Sequence, residues 1–278
     1  DNSKNVINFY YTKRNDLSYT VKYLEKDSNE VLAAQKPVEN QTFGTTVTEN
    51  ALDIAGYTVD AQSKNVEITT GTNEVIFYYT KRTDLEYTVN YYEEGTTNKL
   101  QESKTVEDQT FGTAVTEEAV TISGYNLVSD ESQTITIGAG ENVINFYYAK
   151  KTNLSYTVKY LEAGTNEKLA DEKTVEGQTF GTTVKETAIQ INGYNVTGDS
   201  EKRLEIADGT NEIIFYYTKK NDLSYVVNYL EKDTNKVLKE PKTETKQKYK
   251  DKVKETAAEI DGYVVSGEAE QTMTISHD

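Results

Sequence analysis

Three residue types that can do covalent chemistry together recur at a fixed register in this chain. Lys36, Lys104 and Lys173 fall in one stretch of a repeated pattern, Asn73, Asn142 and Asn211 in another, and Glu25, Glu93 and Glu162 in a third. A lysine amine attacking an asparagine side chain beside a carboxylate would form an isopeptide bond and release ammonia, so Lys104, Asn142 and Glu93 are the reference candidates for such a cross-link. The plainer account is that the asparagine makes a turn, the lysine ends a strand and the glutamate is solvated. Other chemistry has less to stand on. The single histidine is His277 and there is no cysteine, which leaves neither a thiol nucleophile nor a thiolate metal site. The expectation is no catalytic residue, no enzyme activity, no metal and no cofactor. The acidic segments "EKDSNE", "EEGTTNK", "EAGTNEK" and "EKDTNK" vary in their oxygen ligands and fit no calcium loop, so they read as hairpin turns.

Tyrosine is the other conspicuous candidate. "FYYTK" opens at Phe9, recurs at Phe77 and Phe215, and stands as "FYYAK" at Phe146, with spacings of 68, 69 and 69 residues. Period-two alternation places Ile7, Phe9 and Tyr11 on one strand face, as it does Val75, Phe77 and Tyr79. Ile144, Phe146 and Tyr148 follow the same rule, as do Ile213, Phe215 and Tyr217. That face is the core, and the second tyrosine of each pair points inward with its hydroxyl directed to a polar partner. The first tyrosine of each pair, Tyr10, Tyr78, Tyr147 or Tyr216, lies on the opposite, mixed face. Tyrosine rings stack on sugar rings, so these four are the candidate ligand-binding residues. A half-buried tyrosine on a sheet is the simpler alternative.

Elements of one kind must position these residues. Within one unit, "YTVNYYEE" and "LQESKTV" alternate with period two about a turn cluster and predict a hairpin. "ISGYNLV", "QTITI" and "VINFYY" predict three more strands. "TAVTEEAV" carries a Thr-x-x-Thr-Glu start and several helix formers, which predicts a short helix. Repetition at this period outranks every other organising signal. It divides the chain into residues 1–16 (closing strand of a preceding unit), 17–84, 85–153, 154–222 and 223–278, the last without a closing strand. The connecting segments "TKRNDLS", "TKRTDLE", "AKKTNLS" and "TKKNDLS" are equal in length and each carries a leucine: Leu17, Leu85, Leu154 and Leu223. They predict fixed joints plugged by that leucine rather than loose linkers. Strands of ~10 residues at about 3.3 Å each would make every bead roughly 30 to 40 Å long, and four of them an extended rod.

The chain of 278 residues has a formal charge of −16, which disfavours nucleic acid and anionic membranes, and no stretch is long and apolar enough to insert in a membrane. The fourth unit departs from the others: "QKYKD" replaces "QTFGT", so Lys250 stands where Gly181 does, within a lysine-rich segment from Lys239 to Lys254. A solvated charged face is the plain reading of that segment, and an anionic wall polymer the sharper one.

The order "YTVNYYEEGTTNKL", "GTAV", "ISGYNL", "ENVINFYY" resembles the mucin-binding-protein (MucBP) repeat of Gram-positive cell-surface proteins. The resemblance runs through Gly56-Tyr57, Gly124-Tyr125, Gly193-Tyr194 and Gly262-Tyr263. It implies mostly β, ubiquitin-like β-grasp beads in tandem, in a stalk that projects an adhesive tip from the cell wall outside the cell. It also implies mucin or host glycans as partners, bound weakly and multivalently, with a purely structural spacer as the alternative. The aromatic segment at residues 4–13 further suggests head-to-tail self-association, by donating a strand to the fourth repeat of a second molecule.

Overall fold

The structure, a computed structural model, describes residues 4–276; His277 lies outside them. Two compact units divide the chain: one runs through Thr121 and takes in Leu127–Ala149, the other joins Ile122–Asn126 to the chain from Lys150 onward.

Residues 4–16 carry no strand, and Val6, Ile7, Phe9, Tyr10 and Tyr11 are exposed. The first repeat follows with β1 (Leu17–Glu25), β2 (Val31–Gln41), β3 (Thr46–Asn50), β4 (Tyr57–Val59), β5 (Ser63–Glu67) and β6 (Glu74–Lys81). The second has β7 (Leu85–Glu93), β8 (Lys99–Gln109), β9 (Ala114–Glu118), β10 (Tyr125–Leu127), β11 (Ser132–Thr136) and β12 (Val143–Lys150). The third has β13 (Leu154–Glu162), β14 (Lys173–Gln178), β15 (Thr183–Thr187), β16 (Tyr194–Thr197), β17 (Glu201–Glu205) and β18 (Glu212–Lys219). The fourth has β19 (Leu223–Leu230), β20 (Val237–Gln247), β21 (Lys252–Thr256) and β22 (Glu270–Thr274).

Each of the first three repeats forms a four-stranded sheet and a separate two-stranded hairpin, with orders β2-β1-β6-β4 and β3-β5 in the first. The opening and closing strands lie side by side and parallel, with Val21 opposite Val75 and Tyr23 opposite Phe77. A parallel pair needs a long crossover, and here the crossover carries the edge strands and the hairpin. The opening and closing strands thus lie at the centre of the sheet.

No helix occurs among the described residues. The expected helix in "TAVTEEAV" is instead β9, paired antiparallel with β11. Its side chains alternate: Val115 and Glu117 are half-buried while Thr116 and Glu118 are exposed. Thr116 and Thr134 share a hydroxyl hydrogen bond of 2.8 Å across the hairpin. A helix would scatter Val115 and Glu117 around its circumference, whereas a strand turns both to the sheet, so tertiary burial overrides the local helix-forming composition.

The core lies between the sheet and the hairpin. In the first repeat Tyr19, Val21 and Tyr23 of β1 and Val75, Phe77 and Tyr79 of β6 are buried with Leu17 and Ile68, and Val47 and Val66 of the hairpin pack onto them. Phe77, Phe146 and Phe215 are completely buried; each contributes about 1.5–3 kcal/mol of apolar transfer energy to a small bead. The inward tyrosines Tyr79, Tyr148 and Tyr217 donate to the carbonyls of Leu52, Val120 and Ile189, each at 2.8 Å. A buried phenol thereby keeps its hydrogen bond, and the loop after the hairpin's first strand is tied to the sheet.

Candidate functional site

Tyrosine, lysine and glutamate meet in every repeat in a way the sequence pattern does not announce. Tyr19 of β1 donates to Glu49 of β3 at 2.6 Å, and Lys36 of β2 donates to the same carboxylate at 2.9 Å. The second repeat repeats this with Tyr87 (2.5 Å), Lys104 (2.6 Å) and Glu117. The third uses Tyr156 and Lys173 on Glu186, both at 2.6 Å. The fourth uses Tyr225 (2.5 Å) and Lys242 (3.0 Å) on Glu255. The spacings of 30 residues from tyrosine to glutamate and 13 from lysine to glutamate are the same in all four. That constancy is the sequence signal that would have revealed them.

Each trio clamps the hairpin to the sheet. Glu49 and Glu186 are buried, and burial alone would raise their pKa, but the hydrogen bonds from tyrosine and lysine hold both carboxyls below the ordinary value. Glu117 is lowered in the same balance, and Glu255 is lowered chiefly by Tyr225 and Lys242. Burial and the adjacent carboxylate push Tyr19 and Tyr156 up to about 12; for Tyr87 the hydrogen bond to Glu117 leads, with the same result.

The cross-link candidates are therefore occupied elsewhere. Lys104 reaches Glu117, not Asn142. Asn142 accepts from the backbone N–H of Gly138 at 2.7 Å and donates to the carbonyl of Glu86 at 3.0 Å, binding the turn before β12 to the start of β7. Glu93 ends β7 and accepts from the side chain of Asn98 at 3.1 Å. Asn73 and Asn211 make the same turn contacts as Asn142.

The joints between successive repeats are sealed by an aromatic ring. Arg82 donates its backbone N–H to the carbonyl of Gly56, and Phe111 donates its own to the carbonyl of Arg82, both at 2.9 Å. The Phe111 ring then sits edge-on to Tyr57, with centroids 5.4 Å apart. Gly56 has φ +85°, and a Cβ there would fall under 3.0 Å from the ring of Phe111. Only glycine suits both the conformation and the ring. Phe180 against Gly124 and Tyr125, and Tyr249 against Gly193 and Tyr194, repeat the arrangement. Asp208 adds a further tie at the former, accepting from the N–H of Gly124 at 2.9 Å and from Lys151 at 2.8 Å. Of the leucines in the connecting segments, which each begin a strand, Leu17 and Leu154 pack with the core of their own repeat.

Lys250 keeps the glycine-like φ of its counterparts, at 66°. Its ammonium lies 5.6 Å from the rings of both Tyr194 and Tyr249, a cation–π contact that offsets part of the backbone strain. Elsewhere in the lysine-rich segment Lys242 and Lys254 are paired with Glu255 and Glu270.

The four candidate ligand tyrosines differ. Tyr10 is exposed and in no strand, Tyr78 and Tyr216 are half-buried, and Tyr147 is 38% exposed. Tyr147 lies opposite Tyr92 in the parallel pair, and their rings stack at 6.2 Å.

A family model described as the MucBP domain matches residues 19–80, 87–149, 156–218 and 226–278. Internalin J of Listeria monocytogenes is 29% identical over 209 residues, covering 72% of this chain and 24% of that protein. Internalin I of the same species is 29% identical over 216 residues, covering 73% of this chain and 11% of that protein. The chain thus spans a quarter or less of these relatives. The solved structure of the Bacillus anthracis TIE protein aligns over 74% of this chain and 51% of its own, with 14% identity and a TM-score of 0.36.

Proposed function

Because this chain belongs to the MucBP domain family, we propose that it is a non-catalytic repeat region of a bacterial cell-surface adhesin that spaces an adhesive tip from the wall and binds mucin or host glycans weakly. The observation that carries the spacer role is the ring-on-glycine seat that recurs at Gly56, Gly124 and Gly193, where a loose linker would have none. Binding rests on the outward tyrosines Tyr78, Tyr147 and Tyr216, whose recurrence would raise a weak affinity through multivalency. Passing the intact chain over immobilised mucin tests the second part, with retention expected and loss on changing all three tyrosines to Ala. Small-angle scattering tests the first: a profile unchanged across salt concentrations is expected, and a salt-variable one would refute it.

Self-association is favoured by one observation. Val6, Ile7, Phe9 and Tyr11 are exposed, while β19 pairs only with β20 among the described strands. Donation of residues 4–13 to the β19 edge of a second copy would bury them as Val75, Phe77 and Tyr79 are buried beside β1. Sedimentation of the intact chain should show concentration-dependent growth that Phe9→Asp abolishes; a monomer at every concentration would refute it.

A further inference from the structure

We infer that the outer face of the second repeat's sheet, formed by Asn90, Tyr92, Asn145 and Tyr147, is a binding platform for a neutral pyranose. The inference rests on the glycan-binding reading above and narrows it from three tyrosines to one face.

Parallel register places Asn90 opposite Asn145 and, two residues on, Tyr92 opposite Tyr147. Residues two apart on a strand share a face at a separation of about 6.6 Å, close to the length of one hexose ring. The paired tyrosine rings form the apolar half of the face and the two amides the polar half. Asn90 donates to Asn145 Oδ1 at 3.0 Å, and its own carbonyl oxygen accepts from Ser103 at 2.7 Å. These bonds fix the orientation of both amides and leave Asn145 Nδ2 without a partner among the described residues. An aromatic surface for the C–H face of a sugar, beside a pre-oriented amide donor for a hydroxyl, is the minimal chemistry of saccharide recognition.

The neighbouring repeats lack this combination. In place of the asparagine pair the first repeat has Lys22 opposite Ile76, and the third has Lys159 opposite Ile214. Both lysines are ion-paired, with Glu74 and Glu212 respectively, and the second repeat has Val143 where those glutamates stand. Leu24 and Leu161 replace Tyr92, so Tyr78 and Tyr216 have no aromatic partner across the strand pair. Lys64 also lies over the Tyr78 ring at 5.6 Å, while the second repeat carries Gln133 at that place, donating to the carbonyl of Asn145 at 3.0 Å. Tyr147 is accordingly the most exposed of the three tyrosines. Lys99 donates to Ser103 at 2.7 Å. A neutral sugar suits the face better than an anionic one, because the chain as a whole carries −16.

The test uses the intact chain, with N-acetyllactosamine and its sialylated form as probes and saturation-transfer NMR as the readout. One variant combines Asn90→Lys, Tyr92→Leu, Val143→Glu and Asn145→Ile, which reproduces the third repeat's face and so preserves a sheet that already folds. It should bind N-acetyllactosamine at least about tenfold more weakly, a loss of about 1.4 kcal/mol, while Thr116→Ala, on the exposed face of the β9 hairpin strand, leaves binding within about twofold. Unchanged binding by the four-residue variant, equal loss in Thr116→Ala, or tighter binding of the sialylated form would overturn the platform. Retention on mucin without binding of N-acetyllactosamine would overturn it too, but leave the adhesin reading standing. Failure to bind either probe or mucin would remove both.

Discussion

Gly56→Ala separates two contributions that coincide at the first joint. The new methyl meets a backbone at φ +85°, which costs about 1–2 kcal/mol for an L-residue. It also meets the ring of Phe111, which must leave its seat and give up its edge contact with Tyr57, worth about 0.5–1.5 kcal/mol beyond area burial. Gly112 provides the control: its φ is +78°, but nothing lies within 4 Å of where its Cβ would be. Gly112→Ala should therefore show the backbone cost alone. Because four repeats need not unfold as one, amide hydrogen exchange read residue by residue is the suitable assay. The relevant amides are those of Arg82 and Phe111, which bond to Gly56 and Arg82. Protection there should fall by about 1 kcal/mol more in Gly56→Ala than in Gly112→Ala. In the double variant Gly56→Ala/Phe111→Ala the losses should be less than additive by a similar amount, since no ring remains to collide. Equal losses in the two glycine variants, or strict additivity in the cycle, would show that the ring is not seated on the glycine.

The Tyr–Lys–Glu clamps set the pH range. The glutamates have folded-state pKa values below the ordinary 4.5, so their contribution is present above pH 4.5 and is lost as pH falls through the depressed values; exchange at β3 and β15 amides should rise over that range. Tyr19, Tyr87 and Tyr156 are raised from 10 to about 12, so their contribution is complete below pH 10 and disappears as pH rises toward 12; an ultraviolet titration should show late-ionising phenols that Tyr19→Phe reduces in number. Tyr148→Phe leaves the carbonyl of Val120 without its donor and should cost about 1–3 kcal/mol locally, measured by exchange in β12; a neutral result would refute the role of that hydroxyl. Asp208→Asn removes the charge that ties Gly124 and Lys151, so protection of the Lys151 amide should become less salt-dependent than in the parent chain.

Local alternation made much of the fold legible. Tyr19, Val21, Tyr23, Val75, Phe77 and Tyr79 all lie on the inward face that period two assigns to them, because a strand's side-chain direction is fixed by its own backbone. The same local reasoning failed at Ala114–Glu118, where helix-forming residues are held extended by pairing with Ser132–Thr136. Similarly, the leucine in each connecting segment was visible, but the ring that seals the joint comes from a residue 26 positions further on, as Phe111 does from Leu85. Local composition carries no record of such partners.

The sequence by itself therefore determined the repeat, its strand-rich character, its core face and its family, all of which are written in spacing and period. Only the tertiary structure decided that lysine, tyrosine and glutamate would meet as a clamp rather than lysine with asparagine. It alone showed why glycine precedes tyrosine at each joint, and which of the outward tyrosines has an aromatic neighbour. The physical reason is that these partners lie on different strands or different repeats, brought together by antiparallel pairing, by the parallel pairing of first and last strands and by the seat between repeats, and which side chains then face one another depends on a register that no single segment specifies.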